Sequence, residues 1–155
     1  MKLLVTAPVF WPTLSDAERK VWLYLASCNK ARVPIAQHRV YGVGATNFPG
    51  QLNMRVAGLV DFLQEIGGEF SHVLFTDAWD VLYVKLLEEI VERYEALGSP
   101  AWLAAGTMNC GNMRDTALID GFYDEKVPYK FPSSAMFIAE IPLVIEMYSR
   151  MNMEN

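Results

Sequence analysis

A chain of 155 residues, 52% of them hydrophobic, is long enough for one domain with a real core and short for two. Its formal net charge is -5 at pH 7, and its 13 Lys and Arg are scattered rather than clustered, which excludes the basic footprint that a nucleic-acid backbone selects. No stretch reaches the roughly 18 uninterrupted apolar residues of a membrane span, so residues 1–155 are expected to form a single soluble domain with neither nucleic acid nor membrane as partner.

Met1 to Phe10 is apolar enough to suggest the start of a signal peptide, but Pro8 and Pro12 break the run and polar residues follow, so a buried first strand explains it better. Cys28 and Cys110 lie far apart and lack Cys-x-x-Cys spacing, which reads as two free thiols in a reducing compartment. A cytoplasmic location is the corresponding expectation.

In chain order, Lys2 to Ala7 reads as a strand ended by Pro8. Ser15 with Glu18 forms a capping box that predicts a helix through about Lys30. Ile35 to Val43 alternates and is rich in β-branched residues, predicting a second strand, and Gly42, Gly44, Asn47, Pro49 and Gly50 mark the loop after it. From about Gln51, Met54, Val56, Ala57, Leu59, Val60, Leu63 and Ile66 make one apolar helix face, stopped at Gly67-Gly68. His72 to Thr76 is a short apolar strand, Leu86 to Leu97 a helix ended by Gly98, and Ala101 to Ala105 a further strand. Thr107 to Pro128, rich in Asn, Gly and Asp, is long for a connection and typical of a functional loop. Ser134 to Ala139 reads as a strand, and Pro142 suits the first turn of a closing helix. Strands and helices alternating at this interval predict an α/β fold, a three-layer sandwich on a mostly parallel sheet.

The chemistry-bearing stretch is Phe70 to Tyr83, where a buried strand delivers Asp77 and Asp80 at its carboxyl end. In open α/β sheets that end is where ligands bind. Two hard carboxylates suit Mn2+ or Mg2+, which complete their shells with water and phosphate oxygens, so the pair suggests a metal-bridged diphosphate. The plainer alternative is that Asp77 caps the following turn while Asp80 is solvated. Trp79 between them is either packed core or a face on which a nucleobase stacks. No Gly-x-x-x-x-Gly-Lys-Ser loop occurs, so a P-loop is not the means of nucleotide binding.

Val73-Leu-Phe-Thr-Asp-Ala-Trp-Asp-Val-Leu resembles the Asp-x-x-Asp segment of the glycosyltransferase domains of procollagen lysyl hydroxylases and procollagen galactosyltransferases. Val40-Tyr-Gly-Val-Gly-Ala-Thr-Asn-Phe-Pro-Gly-Gln, continuing to Arg55, is similar to that family's glycine-containing loop and helix. Lys130-Phe-Pro-Ser-Ser-Ala-Met-Phe-Ile-Ala resembles its Arg-Phe-Leu-Asn-Ser-Gly-Gly-Phe-Ile-Gly strand. The resemblance implies a GT-A fold, a Rossmann-like nucleotide-diphospho-sugar transferase domain, that uses a UDP-sugar with Mn2+ and transfers a hexose to a hydroxyl acceptor. It places Asp77 and Asp80 on the metal and ribose-diphosphate side, Trp79 beside uridine, Thr6 near the base and Arg55 at the nucleotide or its sugar, with Thr76 and Asp77 among the cofactor-binding residues. The plain reading of Arg55 is an exposed helix charge.

Two departures stand out. Ser133-Ser134-Ala135-Met136 replaces Asn-Ser-Gly-Gly, so Ser133 and Ser134 occupy the sugar or acceptor region with side chains where glycine leaves room. The family also continues into an acceptor-facing segment with a late metal-binding histidine, so a truncated GT-A domain is expected here. His38 and His72 do not match that ligand and read as structural histidines. No catalytic residue is assigned. The alternative function is a non-catalytic or truncated nucleotide-sugar-binding scaffold. A haloacid-dehalogenase-type phosphatase ranks lower, since it needs Asp-x-Asp, usually on the first strand. Met108, Met113, Met136, Met147, Met151 and Met153 crowd the last third, which reads as core packing and also predicts a homo-oligomer if part of that surface is open.

Overall fold

The computed structural model describes residues 1–10, 13, 15, 18–19, 21–43, 51–66, 68–78, 81–106 and 131–153, and the backbone alone at 51–56, 103–106, 131–135 and 151–153. Its strands are β1 (Leu3–Pro8), β2 (His38–Tyr41), β3 (His72–Thr76), β4 (Ala101–Gly106) and β5 (Phe131–Glu140). Its helices are α1 (Trp22–Lys30), α2 (Gln51–Glu65), α3 (Leu87–Leu97) and α4 (Ile141–Met153).

All six residues of β1 are buried, and the strand pairs in parallel with β2 on one side and β3 on the other. β5 runs antiparallel to both β3 and β4, which gives the order β2-β1-β3-β5-β4 with β5 alone reversed. Period-2 alternation then feeds two cores. Leu3, Val5 and Ala7 of β1, Leu74 of β3 and Ile138 of β5 pack with Tyr24 and Cys28 of α1 and Leu87 and Tyr94 of α3. Leu4, Val73, Phe75 and Phe137 face the other way, against Leu59 and Leu63 of α2 and Val144 and Tyr148 of α4. The protein is therefore a three-layer α/β sandwich on a mostly parallel sheet, as its alternating pattern predicts.

Several predicted boundaries shift. Ser15, Glu18 and Arg19 are helical, but a bend at Val21, with φ -109 and ψ 20, leaves α1 to begin at Trp22 with no side-chain cap. The Ser15 capping box therefore does not open that helix. The predicted strand from Ile35 starts instead as a 3-10 turn over Ile35–Gln37, because the Gln37 N–H bonds back to the Pro34 carbonyl at 2.9 Å. The last strand is longer than the apolar run Ser134 to Ala139, extending back to Phe131 along β4 with a register shift at Leu103/Ala104. Gly98 ends α3 in the left-handed region at φ 61, as its position predicts. Met136 packs half-buried on the α1 side and Met147 is 37% exposed, while Met108 and Met113 and the side chains of Met151 and Met153 lie outside the described residues. Among the described residues no helix is long and apolar enough to cross a membrane.

The end of α1 is a Schellman turn. Val33 N–H bonds the Cys28 carbonyl and Arg32 N–H the Asn29 carbonyl, each at 3.0 Å, with Arg32 itself at φ 59. A residue with a side chain costs about 1–2 kcal/mol in that conformation. Glycine avoids the clash but loses about 0.5–1 kcal/mol of unfolded-state entropy, so the steric gain prevails. Arg32→Gly is expected to raise stability by about 0.5–1 kcal/mol in urea denaturation.

Candidate functional site

β3 is short because its apolar run His72–Thr76 is followed at once by Asp77, which stands half-buried where the sheet ends. The Val81 N–H bonds the Asp77 carbonyl at 3.3 Å, turning the chain immediately after the strand. β1 lies beside β3 with β2 on its other flank, so the strand order reverses direction at β1. The crevice beyond the carboxyl ends of β1 and β3 is the usual ligand position in such sheets.

Two further sequence blocks reach the same edge. Antiparallel pairing sets Thr76 opposite Met136, so the segment of β5 before Met136, which holds Ser133 and Ser134, runs on past the end of β3. The chain must return from the carboxyl end of β2 to the amino end of β3, so α2 starts at this edge, with Arg55 in its second turn. The start of a helix carries positive potential that favours an anion. The side chains of Arg55, Ser133 and Ser134 lie outside the described residues, as do Trp79 and Asp80 entirely. Among the described residues no group of three or more His, Cys, Asp or Glu converges as a metal site.

The two threonines proposed for the nucleotide are both fully buried. Thr6 pairs with Arg39 and Phe75, and its Oγ1 has no hydrogen-bond partner among the described residues. Thr76 sits instead in a polar junction that the sequence reading missed. Its Oγ1 lies 3.4 Å from the Tyr24 hydroxyl and 3.3 Å from that of Tyr83, while the Tyr24 hydroxyl lies 3.2 Å from His38 Nε2. Donation from Tyr83 to Thr76, Thr76 to Tyr24 and Tyr24 to His38 satisfies every hydroxyl in the series. Ser27 Oγ donates to the Tyr24 carbonyl at 2.7 Å and accepts the Tyr83 N–H at 3.1 Å. The available signal was Tyr24, Ser27 and Cys28 at i, i+3 and i+4, three polar or sulfur groups on one buried helix face.

Burial lowers the His38 pKa and raises those of Tyr24 and Tyr83, so all three are held neutral, and it pushes the Cys28 thiol up to about 11. Cys28 is a free thiol, as expected, and its Sγ lies 4.0 Å from His38 Nε2, a packed setting that fits the structural reading of His38. Cys110 lies outside the described residues. His72, also structural, lies 2.9 Å through Nδ1 from Ser71 Oγ and packs edge-on to Tyr94.

No family model and no curated protein matches the chain. Among solved structures, 4-diphosphocytidyl-2C-methyl-D-erythritol synthase from Anaerococcus prevotii DSM 20548 is similar at 13% identity with a TM-score of 0.48, over 96% of this chain and 76% of that one. That likeness concerns the chain trace, and no site residue is assigned from it.

The lowered His38 pKa sets a direction for stability against pH. Below the unfolded value of 6.5 the unfolded chain takes up a proton that the folded chain refuses, so stability falls as pH drops through 6.5 toward the folded pKa. Cys28 acts at the other limit, its contribution complete below 9.0 and lost as pH rises from there through about 11. Urea midpoints measured between about pH 5 and pH 8 should decline on the acid side, and His38→Gln should flatten that decline.

Proposed function

We propose that the chain is a nucleotide-sugar-binding transferase domain of the GT-A type, which moves a hexose from a UDP-sugar to a hydroxyl acceptor with Mn2+ or Mg2+. The observation that carries the reading is convergence. The three blocks that resemble the procollagen glycosyltransferase domains are far apart in sequence, and Asp77, the start of α2 and the Ser133–Ser134 segment lie at one edge of the sheet.

On this reading Asp77 and Asp80 would hold the cation through hard carboxylate oxygens, the ligand type that Mn2+ and Mg2+ prefer. Held there, a cation would supply charge neutralisation for a departing diphosphate. Arg55 and the positive end of α2 favour the same negative charge. Ser133 and Ser134 border the transferred sugar and bear on donor choice. Thr6 and Thr76 act from beneath, as enclosed parts of the strands that carry the crevice, and Trp79 offers the uracil a stacking face.

Thermal shift with UDP and UDP-sugars, each with and without Mn2+, tests the reading. A ligand at about a hundred times its dissociation constant stabilises by about 2.7 kcal/mol, or roughly 5–10 °C at this size. The shift should need both UDP and Mn2+ and vanish in Asp77→Asn and in Asp80→Asn. UDP release from a bound UDP-sugar then marks an enzyme, and binding without release marks a non-catalytic nucleotide-sugar-binding scaffold. No shift with any nucleotide sinks the proposal.

A further inference from the structure

Beside β2, the outermost strand on one side of the sheet, a cavity of about 580 Å3 opens between the carboxyl ends of β1 and β2 and the second half of α2. That volume falls in the range of small-molecule sites, about 300–1,000 Å3. Its walls are largely aromatic. Phe62 of α2 stacks on Tyr41 of β2, with ring centroids 5.5 Å apart and planes 17° from parallel, and Phe10 meets Tyr41 edge-on at 6.1 Å. Gly42, at φ 83, makes room for this arrangement, since a Cβ there would run into the Phe10 ring. The charged groups of the lining are the carboxylates of Asp61 and Glu65, both on exposed residues.

Those two carboxylates stand where their own helix disfavours them. They are four residues apart on α2, a spacing at which like charges repel, and they lie at the end of the helix whose unpaired carbonyls already carry negative potential. The last turn of α2 holds no basic residue, and neither carboxylate has an ion-pair partner among the described residues. Arg39 of β2 is engaged by Glu69 at 2.6 Å. A cation in the cavity would relieve both repulsions, and aromatic walls favour one that also carries apolar surface. We infer that this cavity binds an alkylammonium ion, its N–H groups donating to Asp61 and Glu65 while its carbon chain lies against Phe10 and Phe62. The same two carboxylates repel a nucleoside diphosphate, so this site is separate from the donor site proposed above and does not depend on it.

The experiment is titration of butylammonium chloride at constant ionic strength, followed by backbone amide chemical shifts, on the wild type, on the double variant Asp61→Asn with Glu65→Gln, and on Glu88→Gln with Glu92→Gln. The last is the control, an exposed pair at the same spacing on α3 that lines a different cavity. Potassium chloride and 1-butanol are titrated against the wild type alongside. Butylammonium is expected to give saturable shifts at Gly42, Val43, Gly58 and Asp61, with affinity about tenfold weaker in the α2 variant and unchanged in the α3 control. Potassium and 1-butanol should not reproduce those shifts at the same concentrations. Equal response to potassium reduces the site to a non-selective patch of charge, and equal response to 1-butanol reduces it to an apolar groove; either overturns the inference. So does a wild type without saturable shifts at these residues, or an α2 variant that binds as tightly as the wild type. None of these outcomes bears on UDP and Mn2+.

Discussion

β1 is enclosed on every side: parallel partners on both edges and apolar layers on both faces. A strand so placed exposes no backbone to water, so every hydrogen bond of its interior must be made by β2 and β3. It also needs helices above and below, because its alternate residues present apolar groups to both sides. The sandwich follows from that demand, and partners on opposite sides of β1 are what make the strand order reverse, the arrangement at which ligands bind in such sheets. Thr6 is the polar interruption in this strand, with a hydroxyl that lacks a partner among the described residues.

The second constraint is polar. His38 on β2, Tyr24 and Ser27 on α1, Thr76 on β3 and Tyr83 beyond it share one buried set of hydrogen bonds. Each bond contributes only about 0.5–1.5 kcal/mol net, but breaking one strands a group away from water and costs more than the bond itself supplied. Apolar packing supplies most of the stability, and these bonds restrict how the layers fit together. They also connect the core to the acidic segment, since Thr76 immediately precedes Asp77 and Tyr83 closes the turn that follows.

Much of the architecture was legible because it rests on period and punctuation. α2 and α3 follow from apolar spacing and their glycine stops, and β3 from an apolar run that ends at a carboxylate. The direction of β5 was not legible, since alternation is identical for a strand read either way and only pairing with β3 and β4 settles it. The start of α1 was misread because a capping signal at Ser15 says nothing of the bend six residues later at Val21. At the site, Asp77 was legible as a carboxylate at a strand end. Tyr83 was not, because within Val-Leu-Tyr-Val nothing local distinguishes the one residue that turns inward from its exposed neighbours.

On the proposed reading, a cation and a nucleotide diphosphate would meet at the carboxyl ends of β1 and β3. Paramagnetic broadening of backbone amides by Mn2+ with UDP tests it most directly. Binding there should concentrate broadening at Thr76, Asp77, Ala78, Val9 and the first turns of α2, with His72, Ser99 and Ala101 at the opposite end left sharp. Uniform weak broadening, or broadening centred on His72 and Glu140, would contradict it.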